Sequence, residues 1–268
     1  EYYGNSRKLL SQSIYWEKAV KSFEPLAIDK LYEDELKAAD FKNQTIKLDQ
    51  EKTQLLLQKV PGVYHTEIND VLLTALAMTF CEHNSSDKIV IGLEGHGREN
   101  ISKEIDTSRT VGWFTSMYPV LLEINSKEDL PDSIKSVKEQ LRRIPDKGIG
   151  YGVLKYINNN ELISGKESWD IIFNYLGQLD NVLGNSKWFT SATESAGSSS
   201  SGEYVQSNKI SVNAIVQNNE LILNWSYSKN HFENETIEKI ANTFKTNLES
   251  LIVHCIEKDK TGKVFTPP

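Results

Sequence analysis

The stretch 67-EINDVLLTALAMTFCEH-83, followed at once on the far side of a short polar turn by 88-KIVIGLE-94, decides the fold. In the first run Val71, Leu72, Ala75, Met78 and Phe80 supply an apolar face at helical spacing, and Asn84 with Ser85 ends it. The second is a β-branched run short enough to be a buried strand. A buried helix handing over directly to a buried strand is the unit of a layered α/β protein. Outward from that unit the alternation continues. Residues 6–23 (SRKLLSQSIYWEKAVKSF) place Leu9, Leu10, Ile14 and Val20 near helical spacing. QTIKLDQ (44–50) reads as a short strand, and EKTQLLLQKV (51–60) as a helix halted by Pro61 and Gly62. Strand-like runs follow at 114–124, 169–177, 209–217 and 220–228, the last two flanking Asn218-Asn219, a hairpin signal. Helices are expected at 133–144, briefly at 153–158, and at 235–256. The expected fold class is therefore α/β, a mixed sheet flanked by helices.

The 268 residues are 38% hydrophobic and 25% charged, enough to bury roughly three quarters of the unfolded surface. No apolar run approaches the roughly 20 residues that span a bilayer, and EYYGNSRKLL has no signal-peptide core. A formal charge of -7 without a basic run argues against nucleic acid as partner. Cys81 and Cys255 sit in helical stretches without metal-ligand spacing, which fits free thiols in a reducing cytoplasm. The chain begins without methionine in polar sequence, which suggests a piece of a longer polypeptide. SATESAGSSSSGEY (191–204) has almost nothing that could enter a core and reads as a flexible surface loop, with a covering lid as the alternative.

Three clusters could carry chemistry. EGHGRE (94–99) follows the buried strand, where rigid backbone meets loop. Glu94 lies four positions before Arg98, so it is either a tuned proton acceptor or one half of a charged turn with a local ion pair. His96 is the only histidine inside such a motif; His65, His83, His231 and His254 are scattered, and no HExxH pattern exists, so no metal is expected. RTVGWFTSMYPV (109–120) packs three aromatics beside a glycine; the plain reading is that those aromatics are core. FNYLGQ (173–178) puts Asn174 and Tyr175 at a strand end, where an amide and a phenol could donate to a carbonyl oxygen gaining charge, or make structural bonds. The glycines of GIGYG (148–152) miss the dinucleotide fingerprint, and there is no GxSxG or GxxxxGK motif.

In order and wording these motifs resemble the epimerization branch of the condensation-domain superfamily of nonribosomal peptide synthetases. EGHGRE (94–99) is followed by RTVGWFTSMYP (109–119), PDKGIGYG (145–152) and FNYLGQ (173–178), and NDVLLTALA (69–77) resembles the preceding helix motif. The family's HHxxxDG motif is missing, since the chain contains no adjacent histidine pair. The resemblance therefore implies that residues 1–268 are the C-terminal lobe of a chloramphenicol-acetyltransferase-like two-lobed fold, one wall of an active centre between lobes. It implies a soluble, cytoplasmic isomerase domain that inverts the Cα of an aminoacyl or peptidyl thioester. The substrate would hang on the phosphopantetheine arm of a peptidyl carrier protein, with no cofactor bound directly and no nucleic acid or membrane partner. The other partner would be an N-terminal lobe bearing HHxxxDG. By the same resemblance Glu94, Asn174 and Tyr175 are catalytic, and Arg98, His96 and Arg109 support the site or bind substrate. A condensation domain, or a noncatalytic lobe that docks carrier protein, are the alternatives. The lobe alone is expected to be inactive.

Overall fold

The computed structural model describes residues 3–101, 105–125, 129–165, 167–179, 194, 197 and 201–261. The chain opens with two short helices, α1 (Arg7–Leu10) and α2 (Ser13–Lys21), and a long connection leads to strand β1 (Phe41–Leu48). Helices α3 (Gln50–Gln58), α4 (Val60–Tyr64) and α5 (Ile68–His83) follow, then strands β2 (Lys88–Gly95) and β3 (Ser116–Glu123) and helix α6 (Leu130–Arg142). A tight turn (Pro145–Gly148) leads into α7 (Ile149–Gly152) and a π-helical turn (Val153–Ile157). Strands β4 (Ile171–Gln178), β5 (Ile210–Gln217) and β6 (Glu220–Ser228) precede the closing helix α8 (Asn234–Thr261).

The six strands form one mixed sheet in the order β1-β6-β5-β4-β2-β3. Its two central junctions, β5 with β4 and β4 with β2, are parallel, and the outer ones are antiparallel. This is the expected α/β class. The β5–β6 hairpin turns through Asn218 and Asn219, both at positive φ (53° and 61°), the backbone that matches strand twist in a two-residue loop. Pro119 lies in β3, at the sheet edge, where a missing N–H costs no ladder bond.

The helix that decides the fold is buried on every side from Asp70 to Cys81, as a helix with apolar residues all round must be. It packs on the sheet beside α8, and Trp225 of β6 touches both helices, its ring 6.2 Å from Phe80 and 5.6 Å from Phe244. Each fully buried Leu, Val or Phe here stabilises the fold by about 1.5–3 kcal/mol.

Two local expectations fail for clear reasons. Pro61 does not halt a helix but opens α4 in its first turn, where the absent N–H is unneeded. The first helix breaks at Ser11-Gln12, and its buried side is Leu9, Gln12, Trp16 and Ala19, while Leu10 and Ile14 face out. The partner on that buried side explains it. Gly150 of α7 comes so close that a Cβ there would lie 2.2 Å from Gln12 Oε1 and 2.8 Å from Leu9 Cδ1. Gly150 thus serves helix packing, while Gly148, at φ 88°, packs against Tyr118 of β3. Of the loop expected at 191–204, only 194, 197 and 201–204 lie within the described residues; there Ala38 and Ala39 donate to the carbonyls of Tyr204 and Gly202.

Candidate active site

Strand β2 delivers Glu94 to its C-terminal end, and β4 runs parallel beside it with Gly92 opposite Ile172 and Leu93 opposite Phe173. That register brings Asn174, eighty residues away in sequence, level with Glu94, and Asn174 Nδ2 donates to Glu94 Oε2 at 2.8 Å. The C-terminal ends of parallel strands are where α/β sheets hold ligands. Glu94 is half-buried, and burial pushes its carboxyl above the usual carboxylate range. A carboxyl moved toward neutrality is suited to take and return protons.

The local ion pair that the spacing of Glu94 and Arg98 allowed does not form. The Arg98 guanidinium donates to the carbonyls of Thr107 and, at 3.2 Å, Gly112, and lies 4.2 Å over the Phe114 ring. It braces the loop between β2 and β3 and leaves Glu94 to Asn174. Gly97, at φ 66°, permits the close approach that this bracing needs, since a Cβ there would lie 1.5 Å from the Phe114 carbonyl oxygen. His96 is exposed; its Nδ1 accepts from the Arg98 amide at 3.0 Å and its Nε2 lies 2.9 Å from Glu99. Glu99 also reaches Lys147 at 3.6 Å and so ties this loop to the Pro145–Gly148 turn.

That turn, the start of the PDKGIGYG motif, was given no site role from sequence, yet it supports the loop that follows Glu94. Asp146, Lys147 and Gly148 have φ of 43°, 50° and 88°, a run of left-handed backbone that L-residues resist. Burial alone would raise the Asp146 carboxyl, but Lys8, Tyr3 (3.1 Å) and Gln12 (2.9 Å) donate to it and hold it below the usual range.

The remaining expected residues are not gathered at Glu94. Side chains alternate along a strand, so Tyr175 points away from Asn174 and packs against the core. Its hydroxyl is buried without a hydrogen-bond partner, and burial raises the phenol above its ordinary value. Arg109 is exposed on the β2–β3 loop. The aromatics of 109–120 divide: Tyr118 is buried, but Trp113 is 91% exposed, so the core reading fails for it. Trp113 and the fully exposed Val111 stand out from the loop that Arg98 braces.

Leu10, Val153 and Ile157 line an open groove of about 630 Å³ on the side of α1 and the π-helical turn. Among the described residues no group of three or more His, Cys, Asp or Glu side chains could hold a metal ion, and no helix is long and apolar enough to cross a membrane.

A family model described as "Condensation domain" matches residues 1–267. Surfactin synthase subunit 2 of Bacillus subtilis (strain 168) is 42% identical over 266 residues, covering 99% of this chain and 7% of that protein. Bacitracin synthase 3 of Bacillus licheniformis is 38% identical over 261 residues, covering 97% of this chain and 4% of the synthase. Tyrocidine synthase 1 of Brevibacillus parabrevis is 37% identical over 273 residues, covering 97% of this chain and 25% of the synthase. Among solved structures, the epimerization domain from the third module of tyrocidine synthetase B superposes with a TM-score of 0.86 at 36% identity, over 96% of this chain and 58% of that one. The X-domain from teicoplanin biosynthesis, at 14% identity and a TM-score of 0.65, shares the fold, over 92% of this chain and 55% of its own. The chain thus spans a small part of these synthases and under two thirds of either solved domain.

Proposed function

The chain belongs to the condensation-domain family of nonribosomal peptide synthetases, and from that premise we propose that it is the C-terminal lobe of an epimerization domain. Its substrate is an aminoacyl or peptidyl thioester on the phosphopantetheine arm of a cytoplasmic peptidyl carrier protein. The observation that carries the reading is the bond from Asn174 to a half-buried Glu94 at the ends of two parallel strands. The resemblance of EGHGRE and FNYLGQ to the epimerization branch, and the 0.86 TM-score to such a domain, support it.

Inversion breaks the Cα–H bond, and its electron pair moves into the thioester as an enolate. The proton passes to a side chain on one face, and a proton returns to the same carbon from the other. Glu94 serves on one face as acceptor or donor. Asn174 orients the carboxyl, and its own amide oxygen remains to meet substrate. Arg98 and Glu99 hold the loop that follows Glu94, with His96 between them. The opposite face belongs to the histidine of the N-terminal lobe. The open groove, lined by Leu10, Val153 and Ile157 together with Asn5, Asn158 and Asn160, is a mixed apolar and amide surface suited to burial against further chain.

The test is a carrier loaded with an L-aminoacyl or L-peptidyl thioester, mixed with the complete two-lobed domain and hydrolysed. A D/L mixture is expected, and stereochemically pure L product refutes the reading. Glu94→Gln in that domain is expected to abolish racemisation while carrier binding persists. The matching family model favours one second reading, peptide-bond formation between two carrier-bound substrates, which the same assay reports as a longer peptide.

A further inference from the structure

The Glu94–Asn174 pair is the end of a longer row. Asn174 pairs across the sheet with Asn213, Asn213 with Asn224, and Asn224 with Thr45, so their side chains share one face with Glu94. This face is opposite the one on which Phe173, Val212 and Trp225 meet the buried helices. The next row on one side is Ile172, Ser211, Ser226 and Asn43, and on the other Ile215 pairs with Ile222. Five strands therefore present a stripe of two rows made mostly of carboxamides and hydroxyls, ionisable only at Glu94 and interrupted by Ile172, with Ile215, Ile222 and Lys47, whose ammonium lies 3.2 Å from Glu220, along the border.

Such a stripe matches the chemistry of a peptide backbone. A carboxamide can donate to a peptide C=O and accept from a peptide N–H at once, and it has no charge to desolvate. Asn213 is half-buried at the centre of the row, and its carboxamide has no hydrogen-bond partner among the described residues. Further out the pattern changes: Thr45 Oγ1 donates to Asn224 Oδ1 at 2.8 Å, which satisfies that end internally. Strands lie about 4.8 Å apart, so Asn213 is about 7 Å along the row from the middle of the Glu94–Asn174 pair. An extended peptide advances about 3.4 Å per residue, so with its thioester residue at that pair its third residue, counted back from the thioester, lies beside Asn213.

We propose that this row is a subsite for the upstream backbone of a peptidyl thioester, with Asn213 as its central contact. The substrate class is then a carrier-bound peptide of at least three residues rather than a single aminoacyl group. This rests on the epimerization reading above and adds substrate length to it. The row starts at the Glu94–Asn174 pair, where the thioester must sit, so a peptide attached there continues along it.

The experiment compares aminoacyl and tripeptidyl thioesters of the same terminal residue on the cognate carrier protein, using the complete domain. Wild type is expected to favour the tripeptidyl substrate by tenfold or more in kcat/KM. A tripeptidyl substrate with an ester in place of the amide between its second and third residues is expected to lose most of that preference. Asn213→Ala, or Asn213→Ser if the alanine variant folds poorly, is expected to lower the tripeptidyl-to-aminoacyl ratio about tenfold, and the ester is then expected to cause no further loss. Equal use of the two substrates by wild type, or additive losses from the ester and the substitution, overturns the subsite while leaving epimerization standing. If wild type racemises neither substrate, the epimerization reading falls and the subsite with it.

Discussion

Replacing Gly97 by alanine tests whether the loop after β2 fixes Glu94. A Cβ built on Gly97 lies 1.5 Å from the Phe114 carbonyl oxygen, and real Cβ atoms essentially never come within 3.0 Å of such an atom. The two backbones must therefore separate by roughly 1.5 Å, a distance set by that contact floor. No flexible side chain can give way, because the obstructing atom belongs to the main chain. The φ of 66° adds about 1–2 kcal/mol for any residue with a Cβ. The shift falls three residues from Glu94, and a displacement of about 1 Å at a reacting group costs on the order of 100-fold in rate. For the Gly97→Ala variant of the complete domain, kcat for racemisation is expected to fall about 100-fold, with KM changed by about threefold or less, since carrier docking is untouched. Thermal melting should drop by about 2–8 °C from the backbone strain alone. A kcat within threefold of wild type, in a protein that melts lower, would show that Glu94 does not depend on this loop and would refute the reasoning.

Two further expectations follow from burial. The Tyr175 hydroxyl is buried and unpartnered, so Tyr175→Phe is expected to leave melting unchanged or slightly higher and racemisation within threefold of wild type; a tenfold loss would mean that the phenol reaches substrate in the assembled domain. Burial raises the Glu94 carboxyl in the folded chain, so the folded state binds its proton more tightly than the unfolded one does. That makes no difference below the usual carboxylate range, where both states are protonated, and it destabilises the fold as pH rises above that range. Glu94→Gln is therefore expected to raise the melting temperature at pH 7 but not at about pH 3.5, in calorimetric scans; equal shifts at both pH values would contradict it.

How much of this was legible in the sequence follows from the range of the forces involved. The buried helix, the strand after it and the Asn218-Asn219 hairpin are written in local periodicity and turn chemistry, and they stand where the residues put them. The failures are contacts between distant segments. Leu10 and Ile14 fit an amphipathic pattern, but the close approach of Gly150 selects the face carrying Trp16 instead. The nearness of Glu94 and Arg98 along the chain pointed to a pair, yet both are claimed from afar, Glu94 by Asn174 across the sheet and Arg98 by carbonyls and a ring on the β3 side of the loop. Asn174 and Tyr175 adjoin in sequence, and the two-residue repeat of a strand sends them to opposite faces. Motif resemblance named the candidate residues, whereas strand register decided which of them meet.

The parallel junction of β2 and β4 also bears on when the site comes into being as the chain folds. Helix α5, β2 and β3 are close in sequence and can associate early, since their contacts close short loops. The Glu94–Asn174 bond must wait for β4 to return beside β2 across eighty residues, a closure whose entropy is lost before any contact offsets it. During synthesis a chain that has not yet reached Ile171 contains the whole EGHGRE loop and no site at all. The Glu94 carboxyl is thus among the last groups to be set in place, and the bond from Asn174 marks the joining of β4 to β2.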